Sequence, residues 1–281
     1  TRGSDDGIDA LCRTFCRAGA DGVIVTPPTF GMYAVSARIQ GADVREIPLR
    51  EDFSYPVDEV AAAIDDGTRM VFACSPNNPT GNTVPLDDIR RLCEAASGRA
   101  LVIVDEAYGE FMAQESAATL IPEFENLAVL RTASKGMALA GARLGFLLGS
   151  ATLVDLVQRV LPPYPLPTPT LQAARRTYSD GALDIAARRA KELMARRDEL
   201  SAVLAGNPAV KKVWPSDANY LLVEFSDAAA VSKVLREKGI LVRAFDTPRL
   251  ANSLRISVGS AAENRALLEA LAKIDGQVSG E

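Results

Sequence analysis

Lys135 and Asp105 are the two residues whose types and settings bear most on chemistry. Lys135 stands in Ser134-Lys135-Gly136, just past one apolar run, and Asp105 closes another, Leu101-Val102-Ile103-Val104-Asp105. An amine can condense with a carbonyl group, or act as a base once its pKa is lowered. A carboxylate at the end of a buried run is costly unless it meets a cation, although it could equally cap a helix. A lysine in a short polar segment is, by itself, only a solvated surface residue. The chain has no histidine, which excludes Ser-His-Asp hydrolases, Cys-His proteases and most zinc enzymes. Proton transfer near neutral pH then falls to another group, and a lysine with a lowered pKa, or one held as an imine, is the natural substitute.

Further polar groups follow other apolar runs. Asn78 lies in Pro76-Asn77-Asn78-Pro79-Thr80-Gly81, a stiff turn in which Pro79 sets its own φ and Gly81 permits tight geometry. Its amide could donate to a phenolate oxygen, with Tyr108 donating from the other side; equally, the segment could be no more than a turn. Gly3-Ser4-Asp5 opens a helical pattern, and free N–H groups at a helix start attract anions. Ser134 and Arg143 could complete a phosphate cradle, Arg143 through a charge-assisted fork. Phe30, in Pro27-Pro28-Thr29-Phe30-Gly31-Met32-Tyr33, could stack on a heterocycle or serve as plain core. One cofactor asks for all of these parts. Pyridoxal 5'-phosphate needs an imine lysine, an acid facing its ring nitrogen, a donor to its phenolic oxygen, an aromatic plate and a phosphate cradle.

The elements that must position these residues are legible in outline. Ile8, Leu11, Cys12, Phe15 and Cys16 recur with helical spacing and predict a helix over residues 5–18. Strands are predicted at 22–26, 70–74, 101–105, 127–132 and 144–149, alternating with amphipathic stretches. This is the pattern of an α/β fold with a mainly parallel sheet and crossover helices. The polar motifs come directly after the first four strands. That places them along the carboxyl edge of the sheet, where open α/β folds bind ligands.

The proline-rich run Leu161–Pro169 ends the alternation, because closely spaced prolines deny helix and sheet their N–H groups. We expect a large domain over 1–165. Residues 166–281 should form a long linking helix and a smaller C-terminal α/β domain. In that part a helical pattern over 171–204 is interrupted near Gly181. Strands at 211–214 and 220–225, a helix at 228–238, strands at 241–245 and 254–258 and a helix at 261–274 follow.

The remaining composition narrows the class. The chain has 281 residues, 48% of them hydrophobic and 24% charged, enough for a substantial core. A net charge of −5 argues against a general nucleic-acid binder. The basic stretch Arg188–Arg197 reads as the solvated face of a helix. No apolar run approaches the ~20 residues that span a bilayer, and neither that nor the opening residues suggest a membrane or export signal, so a cytoplasmic protein is expected. Cys12, Cys16, Cys74 and Cys93 make no C-x-x-C pair and read as buried free thiols, and no metal site is expected.

The ordered set S-P-N-N-P-T-G, V-D-E-A-Y, T-A-S-K and A-G-A-R-L-G-F resembles the aspartate-aminotransferase superfamily, the type I fold of pyridoxal-phosphate enzymes. Within it, G-S-D-D-G-I-D, P-P-T-F-G-M-Y, P-Y-P-L-P-T-P, A-N-Y-L-L-V-E-F, G-I-L-V-R and S-L-R-I-S-V-G resemble the histidinol-phosphate aminotransferase family over essentially the whole chain. The resemblance implies that Lys135 forms the imine with the cofactor and shuttles the proton between substrate and cofactor. It implies that Asp105 pairs with the ring nitrogen and that Asn78 and Tyr108 contact the phenolic oxygen. Phe30 would stack on the ring, and Ser4, Asp5, Ser134 and Arg143 would hold the phosphate region. Arg255 and Arg243 would grip the substrate's anionic group, two arginines suiting a dianion. The implied reaction is amino transfer between L-histidinol phosphate and 2-oxoglutarate, in histidine biosynthesis, by a homodimer. Aromatic amino-acid transamination, a threonine-phosphate-type decarboxylase on the same fold and a non-catalytic fragment are the alternatives. Family members carry several dozen residues ahead of the position matching Thr1, so a preceding segment is expected to be missing from the chain as given.

Overall fold

The structure is a computed structural model, and it describes residues 1–273. Its first part alternates helix and strand in chain order: α1 (Ser4–Phe15), β1 (Gly22–Val25), α2 (Met32–Gln40), β2 (Asp43–Glu46), α3 (Val57–Ala62), β3 (Thr68–Cys74), α4 (Leu86–Ala95), β4 (Leu101–Asp105), β5 (Leu127–Thr132), β6 (Gly145–Gly149) and α5 (Ala151–Gln158). The strands form one sheet in the order β2-β1-β3-β4-β5-β6. All neighbours pair parallel except β5 and β6. The central strands β3 and β4 are apolar almost throughout, because helices cover both faces of a parallel sheet and leave neither side wet. Ile103, in β4, is fully buried between α1 and the sheet's inner neighbours.

The second part carries α6 (Thr168–Thr177), the long α7 (Asp180–Ala205), β7 (Val210–Val213), β8 (Tyr220–Phe225), α8 (Ala228–Glu237), β9 (Arg243–Ala244), β10 (Ser253–Ser257) and α9 (Ala261–Ala272). Its sheet has the order β7-β8-β10-β9 and is antiparallel throughout. Leu200 and Leu204 of α7 pack with α8 and α9 on one face of that sheet. The two sheets meet through long-range bonds. Tyr220 Oη donates to the Asn77 carbonyl at 2.6 Å, the Asp217 N–H donates to Gly81 O at 2.7 Å, and Thr83 donates to the Asp217 carboxylate at 2.9 Å. Gly81 has φ 86°, and a Cβ there would run into Ser216, so this crossing needs glycine.

Several expectations are corrected. The first helix ends at Phe15 rather than near residue 18, because Cys16 turns extended and the Arg17 N–H is taken by the Asp21 carboxylate at 2.8 Å. The break in the long helical pattern falls at Tyr178–Ser179; Gly181 sits inside the first turn of α7. The strand read at 241–245 pairs only at Arg243 and Ala244, and Leu241 is 80% exposed. The helix read to residue 274 is described to Ala272, and Ile274 lies outside the described residues. Arg197 does not lie on a solvated face. It is buried, bonding the Ala218 carbonyl at 3.2 Å and Asp198 at 2.9 Å, because it falls on the inward stripe of α7. Strand β2 went unread because Asp43-Val44-Arg45-Glu46 is a charged edge strand with no apolar signature. The four cysteines are buried free thiols, and no described helix is long and apolar enough to cross a membrane.

Truncating the core at the centre of β4 should be costly without touching the ligand edge. Ile103→Ala is expected to lower the unfolding free energy by about 2–5 kcal/mol, read from the urea midpoint at constant slope. A midpoint within experimental error of the parent's would contradict this packing.

Candidate active site

The carboxyl ends of β1, β3, β4 and β5 converge on one edge, and because β6 runs the opposite way, the residues that precede it arrive at that same edge. A cleft of about 640 Å³ opens there, between the edge and the β9–β10 side of the second sheet. All eleven residues singled out from the sequence line it: Ser4, Asp5, Phe30, Asn78, Asp105, Tyr108, Ser134, Lys135, Arg143, Arg243 and Arg255.

Asp105 sits at the floor and is 2% exposed. Its Oδ2 accepts from Tyr33 Oη at 2.8 Å and its Oδ1 from the Ala107 N–H at 3.0 Å. Among the described residues no cation stands within salt-bridge distance of it. Burial pushes this carboxyl up to about 6, against the pull of the Tyr33 and Ala107 bonds. The adjacent Glu106 leaves on the opposite face of the strand, where Arg131, Ser116 and the Ala117 N–H satisfy it. Strand alternation thus decides which of the two acids faces the cleft.

Lys135 follows β5 and reaches into the open cleft, with Nζ 5.3 Å from the centre of the Tyr108 ring. It is the one lysine among the lining residues. Partial desolvation lowers its pKa, helped by the positive charge of Arg255 and opposed by Asp5. Tyr108 is buried, packs edge-on to Tyr220 at 5.0 Å and has its phenol pushed up to about 12 by desolvation.

The asparagine pair divides the work. Asn77 is structural: its amide donates to the Pro28 carbonyl at 2.9 Å and to Thr80 at 2.6 Å, and its oxygen accepts from Thr29 at 2.7 Å. Asn78 faces the cleft, where its Oδ1 accepts from Arg255. With that oxygen engaged, its NH₂ is left to donate elsewhere.

At one end of the cleft Ser4 opens α1 after Gly3, whose φ is 83°. A Cβ on Gly145 would strike the backbone of Gly3, so β6 and the start of α1 approach at a distance only glycine allows. Arg143, in a left-handed conformation at φ 52°, lies over Gly3 and bonds Asp5 at 3.3 Å. Ser134 Oγ receives a bond from Thr132 at 2.9 Å. At the other end Arg243 and Arg255 face each other directly across the β9–β10 pair. Like charges opposed in this way are destabilising unless an anion joins them. Arg255 Nε is buried and has no acceptor among the described residues, and its guanidinium lies 5.1 Å over Tyr220.

Sequence reading missed Tyr33, which holds Asp105, together with the apolar wall of Met32, Val35 and Phe245. Tyr33 stood in the motif that supplied Phe30, but nothing in the chain marks a contact 72 residues away. Tyr220 was read only as a strand residue.

These groups fit pyridoxal phosphate. Asp105 is a buried acid that, among the described residues, meets no cation, and the helix start beside Arg143 is held open by glycine. The profile of the family described as aminotransferase class I and II matches residues 1–271, and the chain belongs to that family. The histidinol-phosphate aminotransferase of Xanthomonas euvesicatoria pv. vesicatoria (strain 85-10) is 44% identical over 283 residues, covering 99% of this chain and 78% of that protein. That of Stenotrophomonas maltophilia (strain R551-3) is 46% identical over 275 residues, covering 96% and 76%. The crystal structure of histidinol-phosphate aminotransferase from Sinorhizobium meliloti, in complex with pyridoxal-5'-phosphate, superposes with a TM-score of 0.88 at 21% identity, covering 99% of this chain and 76% of that one.

The raised pKa of Asp105 has a thermodynamic consequence for the ligand-free chain. An unfolded aspartate ionises near ~3.9, so between that value and about 6 the folded state holds a proton the unfolded state has lost. Stability from this group is therefore greatest below ~4 and falls as pH rises through 6. Asp105→Asn should reduce the loss of stability between pH 4.5 and pH 7, followed as urea midpoints at the two values. An unchanged pH dependence would refute the assignment of that slope to Asp105.

Proposed function

We propose that this chain transfers the amino group between L-histidinol phosphate and 2-oxoglutarate, with pyridoxal phosphate as cofactor. The observation that carries the reading is one cleft whose lining joins a single lysine of lowered pKa, a buried acid that meets no cation among the described residues, and two arginines on paired strands at the far end. The near-full-length identity of 44–46% to proteins of that name supports the choice of substrate.

When bound, the cofactor supplies a carbonyl carbon that exchanges amines and a ring that accepts electron density. Lys135 Nζ is the group placed to hold that carbonyl carbon and, once released, to take the proton from the substrate's Cα and return it. Desolvation and the charge of Arg255 lower the pKa of this amine, the direction a base near neutral pH requires. Asp105 holds the ring nitrogen in its protonated state. Asn78 and Tyr108 donate toward the phenolic oxygen, and Arg255 keeps the Asn78 amide turned the right way. Phe30 covers the ring, while the α1 start, Ser4, Ser134 and Arg143 hold the phosphate. Asp5 sets the position of Arg143 through their ion pair.

Arg243 and Arg255 grip the substrate's phosphate. A dianion bound between them would offset the cost of setting two like charges opposite one another on paired strands. With the domain boundary proposed near residue 165, both arginines belong to the smaller C-terminal domain. A homodimer is proposed on the same family grounds.

Three outcomes test this reading. Borohydride reduction of the cofactor-loaded protein should leave a pyridoxyl label on Lys135, and Lys135→Ala should lose turnover of histidinol phosphate and 2-oxoglutarate while still taking up cofactor; normal turnover in that variant would sink the proposal. Arg255→Ala should raise KM for histidinol phosphate roughly 10- to 100-fold, as expected for loss of a charged hydrogen bond, with a smaller effect on cofactor retention. Carbon dioxide release from an amino-acid phosphate, without glutamate formation, would instead reveal a decarboxylase.

A further inference from the structure

Tyr33 is the second residue of α2 and is 1% exposed, yet its hydroxyl is not idle. It donates to Asp105 Oδ2 at 2.8 Å, the one side-chain bond that carboxylate receives among the described residues. The ring of Tyr33 is held from two sides. It lies parallel to Phe72 of β3, at 4.7 Å between centres and 9° between planes, and meets Phe30 edge-on at 5.6 Å and 79°. One residue thus touches both the acid at the cleft floor and the aromatic plate beside it.

We propose that Tyr33 is a positioning residue for amino transfer, its hydroxyl fixing the direction and charge of Asp105 toward the cofactor's ring nitrogen while its ring seats Phe30. The inference rests on the function proposed above. A carboxylate that rotates freely divides its lone pairs among several directions. Here the Ala107 N–H takes one oxygen and Tyr33 the other, so the remaining lone pairs face the cleft. Donation to the charged form also lowers the proton affinity of Asp105, so that a shared proton resides on the ring nitrogen instead of the carboxyl.

The other groups near Asp105 do not compete for this role. The Cys74 thiol on β3 and the Tyr108 phenol after β4 are each pushed up to about 12 and stay neutral at physiological pH. Asp5 on α1 and Glu106 act on Asp105 only through their charge. In a chain without histidine, the donor to the acid is a hydroxyl whose burial keeps it protonated. Its bond therefore does not switch across the range in which enzymes of this kind work.

The test separates the hydroxyl from the ring. Tyr33→Phe keeps the stacking on Phe72 and Phe30 and removes only the donor. In protein loaded with ¹⁵N-labelled pyridoxal phosphate, the ring-nitrogen resonance should move toward the unprotonated value. The kcat for histidinol phosphate should fall about tenfold or more, as expected for loss of a bond to a charged group, with KM within about twofold. Site-specific 3-fluorotyrosine at position 33, a stronger donor of nearly the same volume, should move the resonance the opposite way, and it carries the test alone if the phenylalanine variant does not fold. An unmoved resonance in a folded variant, or a fall in kcat without a shift, overturns the role given to Tyr33. Borohydride labelling of the parent protein distinguishes the two levels: no label on Lys135 refutes the underlying function, whereas a label with an unmoved resonance refutes only Tyr33.

Discussion

A carboxylate held at the floor of a cleft by two neutral donors, with no cation beside it among the described residues, is the constraint around which the rest of this molecule is arranged. Asp105 is buried because β4 is a central parallel strand covered on both faces, and it is ionisable because the chain ends the strand with an acid. Burial alone raises its pKa, and the hydroxyl of Tyr33 and the N–H of Ala107 restrain it only in part. Such a site is incomplete without a positive partner. The cost that the fold bears at Asp105 is what a cationic group brought into the cleft would offset.

The same logic recurs at the far end of the cleft. Pairing β9 with β10 sets Arg243 opposite Arg255, and the Nε of Arg255 is left without an acceptor among the described residues. Between these poles lie groups that the structure satisfies fully. Glu106 is tied to Arg131 and Ser116, and Asn77 to Pro28, Thr80 and Thr29. The contrast separates scaffold from site: Glu106 and Asn77 are tied on every side, whereas among the described residues Asp105 meets no cation and Arg255, though bonded to Asn78, keeps an Nε–H without an acceptor.

Sheet topology brings these poles together. Four parallel strands deliver their loops to one edge, and the reversed strand β6 adds Arg143 and the close approach of Gly145 to Gly3. The antiparallel sheet is tied to that edge by Tyr220 on Asn77 and by Asp217 on Gly81. The second sheet thus has its footing on the stiff Pro76–Gly81 turn that also presents Asn78. The turn that presents Asn78 and the sheet that carries Arg255 are therefore tied to one another.

The amino-acid sequence by itself determined the α/β class, the order of motifs behind successive strands, the candidacy of Lys135, Asp105, Asn78, Tyr108 and the glycine-flanked helix start, and the family likeness. These were legible because apolar runs, helical periodicity and turn residues act over a few neighbours in the chain. Only the tertiary structure decided that β6 runs antiparallel, that Asn78 and not Asn77 faces the cleft, that Arg197 is buried, and that Tyr33 is the partner of Asp105. Those outcomes depend on contacts such as Tyr33 with Asp105, 72 residues apart, and Arg255 with Asn78, 177 apart. No local pattern encodes such pairings, because which side chains meet is set by how the sheets pack, and a buried polar group then keeps whichever partner that packing brings.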